Sequence, residues 1–212
     1  MYLQRDQADA LLQTSLTTIR ERLHAHLDFV TELREGDDWS FVIKAQALLK
    51  ACITEAILVR LGDDRIKKTV ETMPLVGNNA SKLQFAKDLG LINAPQRRFV
   101  KKLATLRNHL AHRVEYVNFK FPEYIASLDK KEWKDWQESI VWFEQTPSAR
   151  EQWQEIALIQ PRSAVLMGAF LVAALLAVED NQAKLMRAID AASEKTTTEL
   201  LRYLHGTADP IN

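Results

Sequence analysis

Apolar residues recur along most of the chain at the three- and four-residue spacing of amphipathic helices. No run of alternating β-branched residues indicates a strand, and only six glycines and six prolines interrupt the pattern. The sequence therefore predicts an all-α helical bundle. The expected helices cover about 4–35, 39–61, 63–73 and 81–89, a stretch that opens near Pro95, and 161–204.

Glycines and acidic residues mark where these helices begin and end. Gly36, Gly62 and Gly90 stand where helices should stop, because glycine readily adopts the left-handed conformation of a C-terminal cap. Asp37 or Asp38 is expected to cap the second helix. A turn is expected at 77–79, where the sequence is Gly-Asn-Asn.

The chain is expected to form one domain over 1–212. Its parts are an N-terminal helix at 1–36, a core at 37–114, an insertion at 115–160, and a last core helix with an extension at 161–205. The insertion differs in composition, because aromatic residues are interleaved with charges there. It is expected to form short helices between two core helices.

Charge and cysteine content exclude several classes of protein. Lysine plus arginine and aspartate plus glutamate both total 28, so the formal net charge is zero. Attraction of the whole molecule to nucleic acid is therefore excluded, and phosphate binding would need a local basic patch. The single cysteine, Cys52, excludes intrachain disulfides and multi-cysteine metal sites.

Two segments bear on the location of the protein. The first residues are polar and lack the apolar core of a signal peptide. The uncharged stretch 164–178 has fifteen residues, fewer than the roughly 18–20 that span a bilayer. This stretch is therefore expected to be a buried core helix, and the protein is expected in the cytoplasm.

One arginine occupies a position that periodicity assigns to the core. Phe99, Leu103, Leu106 and Leu110 form one apolar stripe of a helix. Arg107 lies within that stripe, about 40° from Leu103. An arginine that faces a core must be paired or line a cleft, because an unpaired buried charge is costly.

A glutamate interrupts an apolar stripe in the helix over 39–61. Glu55 lies in the middle of a predicted apolar face, as Arg107 does in its own helix. Because the two charges are opposite, we expect the two helices to pack together and the two side chains to meet. The apolar residues of the face around Glu55 are Phe41, Leu48, Cys52 and Val59.

The segment around Arg107 also contains a motif. Arg107 is followed by the polar Asn108 and, after four intervening residues, by His112. This resembles the signature of the HEPN superfamily, small helical-bundle domains found in many RNases. Residues 81–92 resemble the branch that includes mannitol-operon-repressor-like proteins, as does the helix that opens at Pro161. The resemblance covers about 39–114 and 161–180 and leaves out the aromatic segment.

The resemblance implies a function. HEPN domains commonly dimerise so that two motifs face each other across a cleft, and active members cleave RNA without a metal or another cofactor. His112 would act on the ribose 2′-hydroxyl or the leaving oxygen, Arg107 would stabilise charge on the phosphate, and Asn108 would orient His112 or the phosphate. Glu55 and His109 would support this site. The implied partners are RNA, a second copy, and an antitoxin or regulatory protein in bacterial defence or a toxin–antitoxin system.

The implied roles suit the side chains. Histidine titrates near neutrality, and arginine offers a permanently charged fork that matches phosphate oxygens. On one continuous helix, however, Arg107 and His112 lie about 140° apart. Either the helix ends or distorts near His112, or the histidine of one protomer works with the arginine of the other.

Basic residues around the motif and aromatic residues in the insertion each allow two interpretations. The basic residues form either a solvated helix face or a phosphate track towards the cleft. The aromatic residues of 115–160 either stack RNA bases or cover a core or partner surface. The basic residues are Arg97, Arg98, Lys101, Lys102 and Arg113.

Other functions stay open or are excluded. His109 and His112 are three residues apart, but no carboxylate lies within that turn, so no metal is expected. The lack of a glycine-rich phosphate loop and of Gly-x-Ser-x-Gly excludes a P-loop NTPase and an α/β hydrolase. Two rivals to the ribonuclease remain: a regulatory or protein-interaction scaffold without chemistry, and a nucleotide-binding module that uses Arg107.

Overall fold

The computed structural model describes residue 33 and residues 36–77, 80–112 and 114–204. The helix expected over 4–35 and the basic residue at 113 lie outside this part, apart from Leu33, which is helical. All regular structure in the described residues is helical, so the predicted all-α fold is confirmed.

Eight α-helices succeed one another along the described residues. They are α1 (Asp38–Leu61), α2 (Lys67–Thr72), α3 (Lys82–Asp88), α4 (Ala94–Ala111), α5 (Phe121–Ser127), α6 (Lys130–Ile140), α7 (Pro147–Ile159) and α8 (Pro161–Leu204). Short 3-10 turns at Asp64–Ile66 and Val114–Asn118 precede α2 and α5. The predicted bounds agree with these helices to within a few residues, and the insertion forms α5, α6 and α7.

Most of the predicted helix caps are present. The side chain of Asp37 accepts a hydrogen bond from the backbone N–H of Ser40 at 2.8 Å and so caps α1. Gly62 and Gly90 adopt the left-handed conformation after α1 and α3, with φ of 65° and 71°. The residues just before Gly36 that such a cap involves lie outside the described part of the chain, so the expected role of Gly36 stays a prediction.

The side chain of Arg162, at the start of α8, anchors the chain that leads into α1. Its guanidinium donates hydrogen bonds to the backbone carbonyls of Leu33 and Gly36. It also lies 3.4 Å from the carboxylate of Asp38 and 4.9 Å from the ring centre of Phe41. The first turn of α8 is thus bound to the segment that precedes α1 and to the first turn of α1.

Helix α1 lies at the centre of the bundle, packed against α8, α4 and α3. Apolar residues occur on every side of α1, so periodicity alone does not select the face that packs. The predicted face around Glu55 is wrong, since Glu55 is exposed and Leu48, Cys52 and Val59 are only half-buried. The buried residues are Phe41, Val42, Ala45, Leu49, Ile53, Ala56 and Ile57.

The aromatic insertion forms part of the same core. Trp136 in α6 is fully buried and donates its indole N–H to the carbonyl of Ala157 at 2.8 Å. The ring of Phe121 lies between those of Phe41 and Trp136, with centroid distances of 5.9 and 6.2 Å. These rings therefore cover a core, which is one of the two interpretations of the aromatic residues, and do not stack RNA bases.

The apolar part of α8 is longer than expected. Residues Pro161–Glu179 form a segment of 19 residues with mean hydropathy 1.9, which by length and composition is enough to cross a membrane. The argument that excluded a span on length is therefore wrong. Within the bundle, 44% of the segment is buried. Its buried positions pack on α1 and α7, whereas Met167 and Leu175 are exposed.

Gly168 lets α8 approach the core closely. A Cβ atom there would lie 2.9 Å from the ring of Phe99 and 3.2 Å from the indole nitrogen of Trp142. Phe99 is fully buried and has no space to move into. We expect Gly168→Ala to lower the free energy of unfolding by about 1 kcal/mol, because overpacking costs ~1–3 kcal/mol and exceeds the gain in helix propensity.

Chemical denaturation measures this effect, with Gly77→Ala as the matched control. A Cβ at Gly77 would meet its nearest atom at 3.6 Å, an ordinary van der Waals distance. The control is expected to change stability by less than about 0.5 kcal/mol. A Gly168→Ala protein as stable as the wild type would contradict the close packing of α8 on Phe99.

Lys82 is a charged side chain buried between α1, α2 and α3. It is 1% exposed, and its ammonium donates to the hydroxyl of Thr54 at 2.6 Å and to the carbonyl of Glu71 at 3.1 Å. Both acceptors are neutral, and no carboxylate pairs with it in the described part of the chain. Burial, reinforced by the charge of Lys50, lowers the pKa of Lys82 below its usual range.

The lowered pKa of Lys82 makes stability depend on pH. The unfolded chain holds this proton more tightly than the folded chain, so stability rises as pH increases from the folded pKa towards the unfolded value of about 10.4. We expect Lys82→Met to be about 1 kcal/mol more stable than the wild type at pH 7, because methionine fills the space without a charge. Urea denaturation between pH 6 and 10 should show this advantage shrinking as pH rises. A constant difference across that range would contradict the prediction.

Candidate functional site

The motif lies in the last two turns of α4. A capping box between Asn93 and Gln96 starts the helix, with Pro95 in the first turn. The predicted stripe of Phe99, Leu103, Leu106 and Leu110 is buried, so the orientation of α4 agrees with its sequence. At the other end, the indole N–H of Trp39 donates to the carbonyl of Leu110 at 3.3 Å and ties the motif to the start of α1.

Arg107 is half-buried at the edge of the apolar stripe. One terminal nitrogen donates to the side-chain oxygen of Asn108 at 3.2 Å, its only hydrogen bond within the described residues. The Nε atom is buried and has no partner. Since a guanidinium has five N–H donors, the terminal nitrogens of Arg107 keep donors that an anion can accept, whereas its Nε–H is shielded from solvent.

The expected pair between Glu55 and Arg107 is wrong. The helices α1 and α4 do pack together, but both residues are described and no ion pair joins them. The reason lies in α1, which turns a different face to the core and leaves Glu55 exposed. Glu55 has interactions elsewhere, so its place as a supporting residue of the Arg107 site is not retained.

The other motif residues lie at the surface. Asn108, His109 and His112 are all exposed. Helix α4 ends at Ala111, and His112 is its C-terminal cap residue, which agrees with the alternative that the helix ends near the histidine. The side chain of Asn108 accepts a hydrogen bond from Arg107 and so steadies the guanidinium.

Two of the basic residues on α4 are neutralised by the insertion. Arg98 forms ion pairs with Asp135 at 2.7 Å and Glu138 at 2.9 Å, and Lys102 pairs with Asp135 at 2.6 Å. Hydrogen bonds from Arg98 and then Lys102 lower the pKa of Asp135, and the same contact with Asp135 raises the pKa of Arg98. These contacts join α4 to α6.

The other basic residues that were predicted to contact phosphate lie in different surroundings. Arg97 is half-buried, 3.5 Å from the side-chain oxygen of Gln84. Lys101 is exposed. Arg113 lies outside the described residues. A phosphate track on α4 therefore remains a prediction for Arg97 and Lys101, whereas Arg98 and Lys102 serve the contact with α6.

The structure forms two neighbouring hollows that sequence reasoning did not identify, and residues of the motif line one of them. One, of about 390 Å³, is lined by His109 and Leu110 and by residues of the insertion. A larger open groove of about 1010 Å³ runs past Trp39, Val117 and Arg162. Phe119 and Lys120 line both hollows. The density of aromatic residues just after the motif was the signal available in the sequence.

The described residues contain no group of three or more histidine, cysteine, aspartate or glutamate side chains placed to hold a metal ion. Comparisons with protein-family models, curated proteins and solved structures gave no match to this chain. A proposal of function therefore rests on the motif and on the geometry of Arg107 and its neighbours.

Proposed function

We propose that the protein is a metal-independent endoribonuclease of the HEPN type, active as a homodimer. The observation that supports this most is the state of Arg107. Its guanidinium is half-buried, steadied by Asn108, and has donors without partners next to an exposed helix end that carries His112. A charged fork held in this way suits a phosphodiester, because donors fixed before the reaction stabilise developing charge.

The proposed reaction is transesterification within the RNA strand. The ribose 2′-oxygen attacks phosphorus, its proton passes to a base, and the bond to the 5′-oxygen breaks with protonation of that oxygen. The products are a 2′,3′-cyclic phosphate and a 5′-hydroxyl. His112 handles one of these protons, and Arg107 binds the phosphate oxygens as charge develops on them.

A dimer accounts for the separation between Arg107 on α4 and His112 at its C-terminal cap. They lie about 140° apart around the helix, so a second copy that presents its own motif would bring the histidine of one protomer to the arginine of the other. Cytoplasmic bacterial defence or a toxin–antitoxin pair, with an antitoxin as protein partner, is the proposed setting. This setting rests on the sequence resemblance.

The test is RNA cleavage by the purified protein in the presence of EDTA. Wild type, Arg107→Ala and His112→Ala are compared on the same labelled RNA, and the ends of the products are identified. We expect cyclic-phosphate products from the wild type and a large loss in both variants. Equal cleavage by all three proteins, or cleavage abolished by EDTA, would overturn the proposal.

A second candidate is a regulatory or protein-interaction scaffold without catalysis. The ion pairs of Arg98 and Lys102 with α6 favour it, because they remove positive charge from the face that RNA would approach. This candidate predicts no cleavage of any RNA and a protein partner bound through the insertion. Analytical ultracentrifugation of the wild-type protein and of surface variants of 115–160, each with a protein that co-purifies with the wild type, distinguishes the two.

A further inference from the structure

The smaller hollow beside the motif has the size and walls of a ligand site. Its volume is about 390 Å³, within the range of roughly 300–1,000 Å³ that small-molecule sites occupy. His109 and Leu110 of α4 form one side, and three aromatic side chains of the insertion form others. These are Tyr116, Phe119 and Tyr124.

The rings in this cavity form two contacting pairs. The ring centroids of His109 and Tyr116 are 4.4 Å apart with planes inclined by 38°. Those of Phe119 and Tyr124 are 5.8 Å apart with planes inclined by 54°. Flat aromatic faces at a cavity wall are the common platform for an unpaired nucleobase. His109 lies two residues after Arg107, about 160° away around α4, so the cavity and the proposed phosphate site lie on different sides of the same helix end.

The charged residues of the cavity favour hydrogen-bond donors over phosphate. Glu115 and Glu123 line it, with Lys120 as the opposing cation. Lys120 lies 3.9 Å from Glu123, whereas Glu115 forms no ion pair with any described residue. A carboxylate accepts hydrogen bonds with both oxygens, so Glu115 is suited to two adjacent N–H groups.

We propose that this cavity binds a guanine base of the RNA strand that the protein cleaves. Guanine presents adjacent N1–H and N2–H donors that match the two oxygens of Glu115. Adenine and cytosine each place a single amino group beside an acceptor nitrogen, and uracil has one N–H between two carbonyls. Burial raises the pKa of Tyr124, another residue that lines the cavity, so its hydroxyl stays protonated.

The inference rests on the proposed function, which supplies the RNA strand that carries the base. Binding of the base, however, does not require cleavage. Calorimetric titration of the full chain with guanosine 5′-monophosphate therefore tests it directly. We expect this nucleotide to bind at least about tenfold more tightly than the adenosine, cytidine and uridine monophosphates. Absence of binding, or equal affinity for all four, would overturn the inference.

Two variants and a matched control locate the binding. Glu115→Gln should abolish the preference for guanosine monophosphate, and Tyr116→Ala should weaken binding of that nucleotide by about tenfold. Glu151→Gln changes an exposed glutamate of α7 that does not line the cavity and should bind as the wild type does. Thermal unfolding of each variant verifies folding. A preference that survives Glu115→Gln would contradict the assignment.

Cleavage of a random-sequence RNA separates this inference from the proposed function. We expect guanine to be enriched at one position, a fixed number of nucleotides from the cut. Cleavage without such enrichment, together with no binding of guanosine monophosphate, overturns the cavity assignment while the ribonuclease proposal stands. Selective binding of guanosine monophosphate by a wild-type protein that does not cleave RNA supports the cavity assignment and overturns the ribonuclease.

Discussion

Replacing Arg107 with alanine is expected to lower the rate of RNA cleavage by about 10²–10³-fold, the usual cost of removing one preorganised donor of charge stabilisation. The guanidinium carries donors that the described residues leave unused, so its removal takes away contacts that a phosphate would make. Rates of cleavage under single-turnover conditions measure the effect on the chemical step.

The effect of a substitution at Arg107 on stability can be separated from its effect on the rate of cleavage. The side chain is half-buried at the edge of a stripe of leucines, so the alanine variant also needs a measurement of its unfolding. Arg107→Lys keeps the charge and loses the planar fork, and we expect it to recover only part of the rate. Arg150→Ala removes another half-buried arginine, in α7, and should cleave as the wild type does. A similar loss in Arg150→Ala would point to general destabilisation.

Replacing Trp136 with alanine is expected to lower the free energy of unfolding by about 3–5 kcal/mol. This tryptophan is 0% exposed, and its ring contacts those of Phe121 and Tyr124. Its indole N–H also bonds to the carbonyl of Ala157 in α7. Truncation therefore leaves a cavity and an unsatisfied carbonyl at the contact of α6 with α7. Chemical denaturation measures the change.

Trp133 provides a matched control in the same helix. It too donates its indole N–H to a backbone carbonyl, that of Ile125 at 2.8 Å, but it is 41% exposed. Trp133→Ala should cost about 1–2 kcal/mol, since less apolar surface is lost. Trp136→Phe keeps most of the volume and loses the hydrogen bond, so it should fall between the two alanine variants. Equal losses at the two tryptophans would contradict the assignment of α6 to the core.

Local signals predicted the helices well. The cap at Asp37, the left-handed Gly62 and Gly90, and the stripe of α4 follow from interactions that span four residues or fewer. Helix α1 was harder, because apolar residues surround it and its buried face depends on its neighbours. For that reason its bounds were predicted correctly and its orientation was not.

The candidate site likewise has features that the sequence predicted and features that it did not. The placement of Arg107 at the edge of an apolar stripe was predictable, since it depends on the spacing within one helix. The partners of the charged residues were not. Glu55 was expected beside Arg107 and is exposed on α1 instead. Arg98 is exposed, in agreement with one of its two interpretations, but its pairing with Asp135, 37 residues further along the chain, could not be predicted from α4 alone.

Periodicity and capping were enough to define the helical structure of the described residues and a half-buried arginine in α4, because both arise from contacts within a few turns. Tertiary structure decided what those residues meet. It placed the aromatic insertion in the core, neutralised Arg98 and Lys102, left donors of Arg107 without partners, and formed a cavity beside His109. Each of these features joins segments distant in sequence, and only the packing of helices determines which distant side chains come within hydrogen-bonding range.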